Sequence, residues 1–265
     1  MRILIIILFL PVFSFGQINQ TDANGLRQGL WQKQQPNGRL MYRGYFKDGK
    51  PVGKWERYHP GGQVKAIIKY KENSDSAFAQ LFDVYRKKVA EGIFVNQKKE
   101  GNWLYFLDEI KVSEEQYKNG LKNGISKKYY QSGELMEEVD WVNGKQEGKH
   151  VVYYKTGEPY FQCEMHQEQR HGKCIILSKD GKPQMEAFYK NNLRDGEWKF
   201  YGEDGEFQYQ LNYSEGELLN PFVRDSIANV KMQSLEQGKG RITDPEQFLQ
   251  DPTEYMKREG IMEQW

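Results

Sequence analysis

The sequence predicts an all-β fold: an elongated single-layer sheet of tandem β-hairpins, ending in a short α-helical C-terminal cap or tail. Three observations carry this prediction. A glycine recurs at Gly29, Gly53, Gly101, Gly124, Gly148, Gly172 and Gly196, with successive spacings of 24, 48, 23, 24, 24 and 24 residues. Aromatic residues keep fixed offsets from it: Trp31, Trp55, Trp103 and Trp198 at +2, Tyr58, Phe106, Tyr129, Tyr153 and Tyr201 at +5, and Phe46, Tyr70, Trp141, Tyr189 and Tyr213 at +17. Asn-Gly and Asp-Gly pairs, as at 48–49, 143–144 and 195–196, punctuate the chain, and such pairs tolerate the positive φ of tight hairpin turns.

The chain opens with Met1-Arg2 followed by an almost wholly apolar run from Ile3 to Phe13. This run has the length of a secretory signal core and is too short for a bilayer span. Ser14 and Gly16 stand at −3 and −1 of a cut before Gln17, so residues 1–16 are expected to be a signal peptide. The mature chain is then periplasmic or extracellular, with no transmembrane anchor. Loss of Arg2 leaves one basic residue fewer than the 38 of the whole chain, equal to the 37 acidic ones. A balanced, interleaved charge argues against a nucleic-acid partner, which requires a basic surplus or stripe.

The repeat domain is expected over residues 24–219. In Gln208-Tyr209-Gln210-Leu211-Asn212-Tyr213 apolar and polar residues alternate, as in a strand with two unlike faces. Leucine ladders and helical 3.6-residue stripes are missing, which excludes the other repeats of this length. About eight hairpins at ~4.8 Å per strand make a sheet on the order of 75 Å long. The unit at 73–100 has lost its marker glycine but kept its length. An eroded repeat with paired strands is the preferred reading there, ahead of a local bulge or a short helix through Phe78, Leu81, Phe82 and Tyr85 that forms a partner site. After Asn220-Pro221, a helix start, the segment 220–265 reads as a helical cap over the last hairpin, then a polar tail.

The run Asp195-Gly196-Glu197-Trp198-Lys199-Phe200-Tyr201, with Gly205 and Tyr213, resembles a MORN repeat in the variant form common in bacterial proteins. Similar units stand at Gly53-Lys54-Trp55-Glu56-Arg57-Tyr58 and Gly101-Asn102-Trp103-Leu104-Tyr105-Phe106. Ser126, His150 and Cys174 depart from the pattern by replacing Trp at +2. The resemblance implies an interaction scaffold, a membrane-proximal module or an antitoxin-like protein.

Cys163, His166, His171 and Cys174 carry zinc-ligand chemistry at two-residue spacings. Strand parity places the cysteines on one face and the histidines on the other, so a Cys163–Cys174 disulfide is favoured over free thiols and over a metal. His59 and His150 read as surface or turn residues, and Glu114-Glu115 and Glu137-Glu138-Asp140 as solvated strand edges. No nucleophile elbow, zincin pair or phosphate loop is present, so neither catalytic residues nor a cofactor is assigned. The aromatic face containing Tyr58, Tyr129, Tyr153 and Tyr201 is the candidate binding surface. The function expected is an exported, non-enzymatic scaffold for a protein or envelope component, of open oligomeric state. The alternatives are an antitoxin or immunity-type protein and, more remotely, a glycan or wall hydrolase.

Overall fold

The computed structural model describes residues 18–72 and 74–238. The expected signal segment 1–16, Asn73 and the tail from residue 239 onward lie outside the described residues. Within them the chain forms 19 strands and one helix. A short β1 (Gln20–Thr21) precedes four long hairpins: β2/β3 (Arg27–Gln34, Leu40–Lys47), β4/β5 (Lys50–Tyr58, Val64–Tyr70), β6/β7 (Ser76–Phe82, Lys88–Val95) and β8/β9 (Lys98–Leu107, Ile110–Lys118). The short β10 (Leu121–Lys122) then leads to four more: β11/β12 (Gly124–Tyr129, Leu135–Val142), β13/β14 (Lys145–Tyr153, Pro159–His166), β15/β16 (Gln169–Leu177, Pro183–Lys190) and β17/β18 (Leu193–Tyr201, Phe207–Ser214). β19 (Glu217–Leu218) and α1 (Pro221–Gly238) complete the fold. Neighbours in sequence pair antiparallel throughout, with β9 pairing both β10 and β11, which gives one open sheet.

Two turn types alternate along most of it, the exception being β8/β9, whose strands are joined by the two-residue turn Asp108-Glu109. One joins the strands within a unit through a loop that closes on a glycine, as where the Gly38 amide donates to the Gln35 carbonyl at 2.9 Å. The other joins successive units through two residues of positive φ, as at Asp48 (50°) and Gly49 (76°), whose twist suits the flanking strands. The same conformation occurs without glycine at Asp108-Glu109, Gln167-Glu168 and Asn191-Asn192.

The recurring glycine marks a bulge. At Gly53 φ is +62°, a left-handed value that L side chains rarely adopt, and the β3–β4 register shifts beside it, between Arg43 and Tyr45. The shift frees a carbonyl and brings a tryptophan over the preceding strand. Nε1 of Trp55 donates to the Tyr45 carbonyl, Trp103 to Ile93 and Trp198 to Phe188, each at 3.0 Å. The ring lies over the residue just before that carbonyl, which is Gly44, Gly92 or Ala187. A Cβ added to Gly44 or Gly92 falls 2.1 or 2.4 Å from the indole.

Cross-strand pairing links these sites into one row from Trp31 through Gly44, Trp55, Ile68, Ala79, Gly92 and Trp103 and, further on, Cys163, Cys174, Ala187, Trp198 and Leu211. This row defines an aromatic face. Its two buried clusters centre on Trp55 and Trp103 and on Trp198, so burial comes from rings lying over small residues and over each other.

The eroded unit keeps its strands, β6 and β7, and contains no helix. Its residues hold the repeat positions in altered form: Ala77 for the marker glycine, Ala79 for tryptophan, Phe82 at +5, Arg86 at +9 with φ of 69°, and Phe94 at +17. Without glycine at 77 the β5–β6 ladder runs with no register shift. Helix α1 starts at Pro221 as expected, and Asn220 ties it to the sheet, Oδ1 accepting from the Asn212 amide at 2.8 Å. Its role as a cover is corrected. Val223 packs on the Trp198 cluster, but Phe222, Val230, Met232 and Leu235 are all more than 60% exposed, so the helix shields little of the sheet.

Trp103→Ala is expected to lower unfolding stability by about 3–5 kcal/mol, and Gly92→Ala, which pushes a methyl into the same indole, by about 1–3 kcal/mol. Urea denaturation of each variant measures both.

Candidate binding faces of the sheet

All four tyrosines chosen from the sequence lie on the face opposite the tryptophans, because +5 and +2 differ by an odd number along each strand. They are half-buried, and three of them are tied to carboxylates. The hydroxyl of Tyr58 donates to Glu56 Oε2 at 2.7 Å, that of Tyr153 to Glu138 Oε2 at 2.8 Å, and that of Tyr129 to Glu114 Oε2 at 3.4 Å. Tyr201 instead packs edge-on against Phe207. The tyrosines therefore frame a charged surface and do not form a bare aromatic patch.

The centre of this second face is another continuous row: Arg43, Glu56, Ile67, Gln80, Glu91, Leu104, Glu114, Lys127, Glu138, Val151, Gln162, Ile175, Glu186, Lys199 and Gln210. Its acids are each held by a cation, among them Arg43–Glu56 at 2.6 Å, Lys88–Glu91 at 3.1 Å, Lys127–Glu138 at 3.0 Å and Lys173–Glu186 at 2.8 Å. Glu56 is buried and sits between Lys54 and Arg43. Hydrogen bonding from Lys54, with further bonds from Tyr58 and Arg43, holds its carboxyl at about 2 against the opposing effect of burial. At Glu138 burial works upward, but Lys127 and Tyr153 keep the group below the ordinary carboxylate range. Burial and the Glu138 bond push Tyr153 up to about 12.

On the aromatic face, cations two residues before the marker glycine cover the rings. Arg27 lies 4.9 Å from the Trp31 centroid, Lys99 4.7 Å from Trp103, Lys122 4.7 Å from Trp141, Arg170 4.2 Å from Tyr189 and Arg194 4.9 Å from Trp198. Where Ser126 and His150 replace tryptophan, the middle of this face is polar. Lys122 pairs with Glu115 at 2.6 Å, the Tyr117 hydroxyl donates to Glu115 at 2.5 Å, Trp141 Nε1 donates to Ser126 Oγ at 2.7 Å, and His150 Nε2 stands 2.8 Å from Glu137. Burial pushes the Lys99 ammonium down, and burial together with the Glu115 contact pushes Tyr117 up to about 12. Glu115, Glu137 and His150 are thus inward members of a network, which corrects their reading as solvated edge or surface groups. Vacant tryptophan positions were the signal in the sequence; the acids that reach them needed the register.

Cys163 and Cys174 are direct register partners in the tryptophan row, with Cα atoms 4.0 Å apart and their sulfurs joined as a disulfide. His166 and His171 are exposed and hydrogen-bonded elsewhere, to Glu147 at 2.7 Å and Asn191 at 3.0 Å. Among the described residues no group of three or more His, Cys, Asp or Glu is placed to hold a metal ion.

The model of the MORN repeat variant matches residues 51–72, 122–143, 170–191 and 194–215. Every match begins two residues before a marker glycine, at the cation position of the unit or at Pro51. This is a MORN-repeat protein. Its four matched MORN units supply the phase in which the remaining units, including the eroded one, fall into place. No curated protein matches the chain. Among solved structures, a mutant of S. aureus TarM in complex with fondaparinux, alpha-GlcNAc-glycerol and UDP aligns at 16% identity and a TM-score of 0.22, over 49% of this chain and 22% of that one. A second TarM structure gives 15% identity and the same score and coverage. A Photorhabdus luminescens Tc holotoxin pore gives 10% identity and 0.15 over 76% of this chain and 14% of that one. The chain thus spans about a fifth of the length of TarM, and scores this low carry no argument.

Two predictions follow from the geometry of the faces. Glu56→Gln is expected to flatten the acid limb of the stability profile. The folded carboxyl titrates below the unfolded value of 4.5, so its contribution, on the order of 2 kcal/mol, is complete above that pH and is lost as pH falls toward 2. Thermal melts of both proteins between pH 5 and pH 2 show whether the curves converge at the acid end, as they should. For the cysteines, thiol labelling of the denatured chain is expected only after reduction, and Cys163→Ser with Cys174→Ser should cost about 2–3 kcal/mol, given the 11-residue separation.

Proposed function

We propose that the protein is an exported, non-enzymatic scaffold that binds a protein or envelope component through the charged face of its sheet. The observation that carries this reading is the row from Arg43 to Gln210, in which carboxylates, cations and apolar residues recur on one face of an open sheet. A partner meeting such a surface gains through several similar weak contacts made at once. The electrostatics favour binding over catalysis. Each acid of the row is matched to a cation, and Glu56, Glu91 and Glu138 are held below the ordinary range, whereas a general acid needs its proton retained near neutrality. Export is supported by the composition of residues 1–16 and by the Cys163–Cys174 bridge, since disulfides persist mainly outside the cytosol.

The test is capture from envelope extract with the full chain and with a triple variant, Glu114→Lys, Glu138→Lys and Glu186→Lys, whose fold is checked by circular dichroism. The expected result is a specific partner retained by an Arg170→Gln control on the other face and lost, at least tenfold, by the triple variant. Equal capture by all three chains, or by none, sinks the charged-face reading. Capture of a toxin polypeptide on that face assigns the scaffold to the immunity type. N-terminal sequencing of the protein recovered from fractionated cells should begin at Gln17, and a cytosolic chain still starting at Met1 would falsify the export proposal.

A further inference from the structure

In the intact repeats a tryptophan is wedged between two aromatic rings, those at +17 of the preceding unit and of its own. Trp55 lies 4.8 Å from Phe46 and 6.2 Å from Tyr70, and Trp198 lies 5.1 Å from Tyr189 and 5.3 Å from Tyr213. The eroded unit keeps both flanking rings, Tyr70 and Phe94, but has lost the wedge, because alanine stands at 79. The loss is coupled to the backbone: with alanine at 77 there is no bulge, hence no freed carbonyl to seat an indole N–H. The covering cation is lost as well. The positions held elsewhere by Arg27, Lys99, Lys122, Arg170 and Arg194 are here Pro51 and Asp75. What remains is a cavity of about 360 Å³ lined by Tyr70, Phe94, Ile68 and Ala77, with Pro51, Asp75, Lys50 and Arg57 also at its wall.

We propose that this cavity binds a planar aromatic group that carries a cation, the two components the unit itself has lost. The ring takes the space between Tyr70 and Phe94, which both stand at the cavity wall, where offset or edge-on packing is available on both sides. An ammonium or guanidinium attached to it meets Asp75, which forms no ion pair among the described residues, and stands over Phe94 as Lys99 stands over Trp103. Lys50 and Arg57 repel a cation on their side, which leaves the Asp75 side for it. The volume is within the range of small-molecule sites, and the apolar wall is interleaved with Ser74, Asp75, Asn96, Gln97, Lys50 and Arg57, which supply polar contacts around its rim. The site is on the face opposite the charged row, so it stands or falls independently of the scaffold reading.

The probe is tryptamine, titrated into the full chain by calorimetry and ligand-observed NMR, with indole-3-acetate as the ring of opposite charge. Tryptamine is expected to bind with a Kd of about 1 mM or tighter, and indole-3-acetate about tenfold more weakly. Ala77→Phe, which fills the cavity from its own wall, should abolish binding. Asp75→Arg, an exposed change that restores the cation of the other units, should weaken it about tenfold and leave the melting temperature unchanged. A capped Trp-Lys peptide tests whether the ring arrives free or on a chain, and tighter binding of either form supports the site. Failure of tryptamine and peptide to bind, binding indifferent to both substitutions, or tighter binding of indole-3-acetate overturns the proposal.

Discussion

The structure depends on one contact: an indole laid over a residue with little or no side chain on the preceding strand. A single sheet has no second layer to bury against, so each unit must cover its neighbour with its own rings. Gly44 and Gly92 permit the close approach, and the positive φ of the marker glycine makes the bulge that presents a carbonyl to the indole N–H. Steric fit and hydrogen bonding are thereby supplied by the same two glycines. That coupling explains why glycine and tryptophan disappear together at 77 and 79, and why the ladder becomes regular where they do.

Once covered, the aromatic face can tolerate substitution only where something else fills the row. Two solutions occur. The disulfide of Cys163 and Cys174 occupies adjacent row positions with a compact covalent link, and the Glu115, Ser126, Glu137 and His150 region replaces apolar packing with a hydrogen-bonded network. The second requires its groups to be mutually satisfied, since a half-buried carboxylate without partners costs more than a cavity. Glu115 meets that requirement through Lys122 and Tyr117, and Glu137 through Lys128 and His150. The opposite face meets the same requirement by charge pairing across strands, as where buried Glu56 is held by Arg43 and Lys54.

Much of this was legible in the sequence because the period is long and its marker residues are chemically distinctive. Spacing placed the hairpins, the common face of Tyr58, Tyr129, Tyr153 and Tyr201 and the proximity of the two cysteines, and Asn220-Pro221 marked the start of α1. What escaped was whatever depended on register between units. Glu115 and Glu137, each eleven residues from the vacant tryptophan position at Ser126, look like solvated edges until the register is counted. Turns such as Gln167-Glu168 adopt left-handed φ with no glycine to announce them. The eroded unit was legible from its length alone, because its repeat positions are filled by alanine, arginine and phenylalanine, which carry no repeat signature by themselves.

A repeat array distributes stability among neighbouring units, and this bears on where an unlike unit can be placed. The one lacking its indole sits between Trp55 and Trp103, the centres of the larger buried cluster, and not at either end of the sheet. Flanking units that bury their own indoles can hold Tyr70 and Phe94 apart without a wedge between them, whereas a frayed end would let those rings collapse together. The position of the gap within the array is therefore what allows an unfilled space to persist as a shaped cavity, and a ligand entering it would add the contact that the sequence at 77 and 79 has given up.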